Sequence, residues 1–109
     1  MLRILYIIPT LEGGGAERQL FLLAGNLSAR GAEIHVACRR GGVFLGQLRE
    51  HGVSVHLLGE HRGVSPLLFF KIVKLIRALV PDVIQTWLPQ MDVVGGGAAL
   101  FSSIPWVLS

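Results

Sequence analysis

The segment Glu12-Gly13-Gly14-Gly15-Ala16-Glu17-Arg18 concentrates the residues of this sequence best suited to hold a ligand. Glycines without a Cβ let backbone N–H groups approach an anion, and a helix starting behind such a loop adds partial positive charge at its N-terminus. Phosphate or diphosphate is the ligand class this suits. Three successive glycines are more than a plain strand-to-helix turn requires, although a turn with no ligand is the alternative. Glu17 falls in the first turn of the expected helix, where a carboxylate favours the helix dipole, and Arg18 has the length either to reach a phosphate or to extend into solvent.

The loop departs from the dinucleotide fingerprint. Gly13-x-Gly15-x-x-Arg18 lacks the third small residue, and Cys38-Arg39-Arg40 stands where a ribose-binding acid is expected. The arginine pair keeps one alternative open, the 2′-phosphate of NADP. No Gly-Lys-Ser/Thr follows the glycines, which excludes a Walker A loop.

Other chemistries find little material. His35, His51, His56 and His61 form no HxH or HxxxH pair, so the spacing of a metal site is missing and no metal is expected. No nucleophile elbow or Ser-His-Asp arrangement supports hydrolysis. Cys38, the single cysteine, cannot form an intramolecular disulfide, fits a reducing cytoplasm, and reads as a small buried residue on a strand.

The elements that must position the loop follow from periodicity. The apolar run at 2–8, with β-branched and aromatic members, reads as a strand buried on both faces; 33–38, 53–58 and 83–86 read as the second to fourth strands, and 106–109 as a fifth. Helical spacing of Leu20, Leu23, Ala24 and Leu27 places a first helix at 16–29, stopped by Gly31. Phe44, Leu45 and Leu48 give a short second helix closed by Gly52. Ser65 caps a third, with Pro66 at its first position and Pro81 beyond its end. Asp92 caps a fourth, reaching about Phe101. Strands alternating with helices demand parallel pairing, so the expected fold is α/β: a doubly wound, five-stranded, Rossmann-like parallel sheet of order 3-2-1-4-5 with helices on both faces. Ligands of such sheets sit beyond the strands' carboxyl ends at the switch point, here between strands 1 and 4, which directs attention to 9–17 and 87–92.

Of the 109 residues 51% are hydrophobic and 16% charged, which excludes disorder and allows one domain. The most apolar stretch, 67–80, is interrupted by Lys71, Lys74 and Arg77, so no segment reaches the ~18 apolar residues of a membrane span. Residues 4–8 before Pro9 are too few for the apolar part of a signal peptide, and secretion is not expected. A net charge of +3 without a basic stripe among aromatics gives no nucleic-acid footprint. On a helical wheel Lys71, Lys74 and Arg77 share an arc with Leu67 and Phe70. An apolar pair inside a basic arc suits an anionic membrane surface; packing against a neighbouring segment is the other reading.

Two stretches, IPTLEGGGAERQLFLLAGNLSARGAEIHVAC and LIRALVPDVIQTWLPQMDVVGGGAALFSSIPWVLS, resemble the N-terminal half of family 4 (group 1) glycosyltransferases of the GT-B fold. The specific parts are the GGGAE loop and the Pro-Asp-Val-Ile-x-Thr-Trp segment. The resemblance implies retaining transfer of a sugar, of hexosyltransferase type, from a nucleotide-sugar donor to a glycan or lipid-linked acceptor, with no metal or other cofactor. It implies a cytoplasmic place in cell-envelope polysaccharide synthesis, peripheral at the inner face of the membrane. Gly13, Gly14, Gly15, Glu17 and Arg18 then fall on the loop facing the donor diphosphate. Trp87, Pro89, Gln90 and Asp92 fall on the loop bordering the acceptor. Gln85 and Gln90 stand where relatives often carry histidine. On this reading 1–109 is part of an N-terminal domain, the donor-binding domain and its catalytic residues lie outside it, and the chain alone is inactive. A stand-alone module docking a donor-domain partner is the alternative. The last strand is expected to leave an open sheet edge through which two copies pair.

Overall fold

The computed structural model describes residues 2–11, 14–59, 66–87 and 105–108. Its elements are β1 (Arg3–Ile7), α1 (Gly15–Ala29), β2 (Glu33–Cys38), α2 (Phe44–Glu50), β3 (Ser54–Leu57), α3 (Pro66–Leu79), β4 (Val83–Thr86) and β5 (Trp106–Leu108). The strands form one sheet of order β3-β2-β1-β4-β5, and every neighbouring pair is parallel. Architecture and strand order are those expected from periodicity. The strands are a residue or so shorter than expected at their ends, although Ile8 still donates to the Ala37 carbonyl at 3.0 Å and Leu58 to the Cys38 carbonyl at 2.8 Å, and both pack in the core. The expected cap Ser65 and the helix expected at 92–101 lie outside the described residues.

The apolar run of β1 divides by parity, as a strand with two covered faces must. Ile4, Tyr6 and Ile8 pack with Ile34, Val36 and Cys38 of β2 beneath Leu20 and Ala24 of α1 and Leu48 of α2. Leu5 and Ile7 pack with Ala37 and Ile84 beneath Leu68, Ile72 and Ile76 of α3. Helices therefore cover both faces. One expected core position differs: Leu23 is 37% exposed, while Phe21 turns inward and stacks on Phe44 with ring centroids 5.1 Å apart. The buried stripe of α1 runs through Glu17, Leu20 and Ala24, and position 23 lies about 100° from Ala24 around the helix.

Gly31 (φ 94°) and Gly52 (φ 80°) supply the left-handed residues that end α1 and α2. At the end of α3 this conformation falls instead to Val80 (φ 47°), immediately before Pro81. A β-branched residue is strained there, but the residue preceding a proline is already excluded from the right-handed helical region.

Candidate functional site

The two loops singled out by sequence leave the sheet side by side, because β1 and β4 are paired neighbours. Behind β1, Gly14 forms the N-cap of α1 in an extended conformation (φ −71°, ψ 179°) open to any residue. Its glycine has a packing reason instead: an added Cβ would lie 2.7 Å from Glu17 Oε2. That carboxylate folds back to accept the Gly14 N–H at 2.7 Å and is buried, satisfying one of the donors a helix start leaves open. Arg18 closes the first turn by donating its N–H to the Gly14 carbonyl, and its side chain is exposed. Gly15 differs from Gly14, since a Cβ there would meet nothing within 4 Å. The fold therefore gives no reason for glycine at 15, whereas a ligand approaching the backbone would. Gly13 lies outside the described residues.

At the carboxyl end of β4, Trp87 donates its N–H to the Ile7 carbonyl at 2.9 Å, which locks the start of the second loop to β1. Its indole packs against Tyr6 with centroids 6.2 Å apart, in the core cluster that contains Leu11 and Leu20, and only 7% of the residue is exposed. Its Nε1–H is buried with no hydrogen-bond partner among the described residues. An orphaned buried donor costs roughly 1–3 kcal/mol and calls for an explanation. Pro89, Gln90 and Asp92 lie outside the described residues.

The thiol of Cys38 is pushed up to about 11 by burial, so it is protonated at neutral pH and is no nucleophile. Among the described residues no group of three or more His, Cys, Asp or Glu is placed to hold a metal.

Lys71 departs from the basic arc drawn on the helical wheel. Its ammonium donates to the Leu58 carbonyl at 2.8 Å, tying α3 to the end of β3. Leu67 (55%) and Phe70 (65%) are exposed, as are Lys74 and Arg77, and no described helix is long and apolar enough to cross a membrane.

Sequence reasoning missed a polar chain on the α3 face of the sheet. Arg3 pairs with Glu33, Glu33 Oε2 meets His35 Nε2 at 2.7 Å, and His35 Nδ1 meets His56 Nε2 at 2.9 Å. Spacing within the chain could not have shown it, because His35 and His56 meet only through the β2–β3 register.

Residues 13–109 match the family Glycosyltransferase Family 4. The chain belongs to that family. The match takes in the loop after β4 and, from residue 13 on, the glycine loop. As a Family 4 domain it shares its architecture with GT-B glycosyltransferases. Over 98% of the chain it is 26% identical to Anabaena HepE, solved in complex with UDP, with a TM-score of 0.77 and 29% of that protein covered. MurG of Acinetobacter baumannii superposes with a TM-score of 0.76 at 16% identity, over 99% of this chain and 34% of MurG. The C-terminal domain of the PF1911 hydrogenase from Pyrococcus furiosus gives a TM-score of 0.68 at 12% identity, covering 99% of the chain and 91% of that domain. Fold likeness at such identities carries no chemistry. The Family 4 chain spans about a third of the length of MurG and HepE, and no curated protein matches it.

Proposed function

We propose that this Family 4 domain is the acceptor-side half of a retaining glycosyltransferase that moves a hexose from a nucleotide sugar to a glycan or lipid-linked acceptor. The observation that carries the reading is the buried Trp87 indole N–H, without a partner among the described residues, at the switch point between β1 and β4, beside a glycine loop whose Gly15 has nothing within 4 Å of an added Cβ. A sugar or phosphate oxygen would satisfy the first, and a diphosphate approaching the backbone would explain the second. HepE, solved with UDP and with UDP and glucose, supports a nucleotide-sugar donor.

In this reading Gly13, Gly14 and Gly15 face the donor diphosphate, Glu17 holds the loop in shape from within, and Arg18 stands beside the phosphates. Trp87, Pro89, Gln90 and Asp92 border the acceptor. No metal or other cofactor takes part. Transfer needs donor and acceptor oriented together, so residues 1–109 alone are inactive and act with a donor-binding domain. The place of action is the cytoplasmic face of the membrane, in cell-envelope polysaccharide synthesis.

The test is nucleotide release from a panel of nucleotide sugars and acceptors, measured with residues 1–109 alone and together with a donor-binding domain. Release only in the second case is expected. Release by the chain alone, or none with either, contradicts the reading.

A further inference from the structure

Two polar groups stand open at the rim end of the layer between the sheet and α1. The first belongs to Glu17. Its Oε2 accepts the Gly14 N–H at 2.7 Å, while its Oε1 meets no donor among the described residues. The carboxylate forms no ion pair with those residues either, and Glu17 is only 9% exposed. A carboxylate has about four acceptor positions, so one bond leaves most of its capacity unused. The second group is the Trp87 Nε1–H, a buried donor without a partner among the described residues.

Both groups belong to one end of one packed layer. Beyond β1 the chain stays on the sheet through the parallel bridge of Thr10 with Arg40. The next residue, Leu11, is fully buried in the cluster that holds Tyr6, Leu20 and Trp87. α1 starts behind it at the carboxyl rim and turns the stripe Glu17, Leu20, Ala24 onto that cluster. Glu17 opens the stripe, about one turn before Leu20. Trp87 stands at the same rim, fixed by its bond to the Ile7 carbonyl and packed against Tyr6 on the α1 side of the sheet.

An acceptor and a donor on one rim select a group that can be both. One hydroxyl oxygen accepts the indole hydrogen and sends its own hydrogen to Glu17. A phosphoryl oxygen ionised at neutral pH only accepts, and it carries the same charge as the carboxylate, which repels it. We propose that Glu17 and Trp87 form a hydroxyl-binding subsite for a saccharide. The proposal rests on the transferase reading for the source of that saccharide, and it divides the rim between two chemistries. Gly15, whose backbone is open to approach, serves the phosphoryl part of a substrate; Glu17 and Trp87 serve a neutral sugar ring. Such a subsite discriminates strongly, because a ligand lacking the hydroxyl leaves both buried groups unpaired.

The experiment is titration of the ¹⁵N-labelled protein with the methyl glycosides of glucose, galactose and mannose, and separately with inorganic phosphate. The two tryptophans give two indole N–H signals, and Trp87→Phe assigns them. A methyl glycoside is expected to move the Trp87 indole signal saturably, whereas phosphate should move the Gly15 amide and leave the indole in place. Glu17→Gln keeps an oxygen for the Gly14 N–H and loses the charge. It should weaken glycoside binding about tenfold and leave phosphate affinity equal or higher. Unchanged glycoside affinity in that variant, or equal losses for both probes, would overturn the subsite and leave Glu17 as a loop-shaping residue. An indole signal that answers to phosphate, or to no probe, would overturn it as well. Should Glu17→Gln fail to fold, Trp87→Phe followed at the Glu17 amide carries the comparison: glycoside affinity falls and phosphate affinity holds, and equal glycoside affinity overturns the subsite. Failure of sugar transfer with a donor-binding domain, with the indole shift intact, would remove the transferase reading and leave a saccharide-binding subsite.

Discussion

His35 Nδ1 lies 2.9 Å from His56 Nε2, and the two rings stack with centroids 5.2 Å apart, joining the edge strand β3 to β2 by a side-chain bond as well as by backbone pairing. His35 Nε2 donates to Glu33, so in the neutral pair His35 Nδ1 accepts from His56 Nε2–H. A proton on each ring would leave two donors facing each other. Burial first, and then the neighbouring His35, holds the His56 pKa below its ordinary value. The unfolded chain then binds more protons than the folded one as pH falls below about 6.5. This contribution is fully present above that pH and is lost as pH falls through the lower folded value. Glu33 acts in the same direction further into acid, its pKa lowered by the bond to His35 and then by Arg3. Thermal unfolding from pH 8 to pH 5 is expected to show Tm falling in acid, with a flatter profile in His56→Gln. An equal slope in that variant would show that the pair does not sense pH.

The two described glycines at the start of α1 are predicted to behave oppositely. Gly14→Ala drives a Cβ into the Glu17 carboxylate and disturbs the cap, at a cost of about 1 kcal/mol, as does Glu17→Ala. Gly15→Ala meets open space and is neutral or stabilising by up to about 1 kcal/mol. In the complete transferase, however, Gly15→Ala should raise KM for the nucleotide sugar by obstructing approach to the backbone. Unfolding and kinetics together check both halves, and unchanged KM in a folded Gly15→Ala protein reduces the loop to a turn.

Trp87→Phe separates stability from binding in the same way. Loss of an indole N–H that has no partner among the described residues removes a buried cost of roughly 1–3 kcal/mol, which offsets the smaller ring's lost packing, so Tm should change little. If a ligand oxygen normally accepts that hydrogen, substrate affinity in the transferase should fall about tenfold. A large drop in Tm with unchanged affinity would make Trp87 a core residue and nothing more.

The exposed face of α3 predicts a membrane test. Leu67, Phe70 and Lys74 are exposed together, while Lys71 is turned to Leu58. Anionic vesicles should co-sediment the protein more than neutral ones, and Phe70→Ser should weaken that binding. Equal sedimentation with both vesicle types would reject membrane contact through this helix.

Strand order was legible because β1 is apolar on both faces and each helix carries a stop, so local pattern and topology agree. Glu17 was legible as a first-turn acid, whereas its bond back to the Gly14 N–H appears only in the structure. The contact of Lys71 was not legible for a related reason. A helical wheel gives an arc, but the carbonyl that draws the ammonium aside belongs to Leu58, thirteen positions away and beyond β3. His35 with His56, and Arg40 with Thr10, depend on strand register, which no single segment encodes. The orphaned state of the Trp87 N–H is likewise a property of packing around an indole, and composition cannot show it.

The sheet edge at β5 supports the last prediction. β5 pairs with β4 through Ile84↔Trp106, Gln85↔Val107 and Thr86↔Leu108 and stands outermost in the described sheet. Strand backbones offer hydrogen-bonding groups alternately to both sides, so the outer side of β5 presents donors and acceptors that no described strand takes up. Trp-Val-Leu carries no charge, and Pro105 at its start is the single sequence device of the kind that blunts natural edges. Copies of residues 1–109 should therefore associate by strand addition, and a Val107→Lys change should suppress it. Light scattering across a concentration series measures the effect. A wild-type chain that stays monomeric at high concentration would mean that this edge is covered.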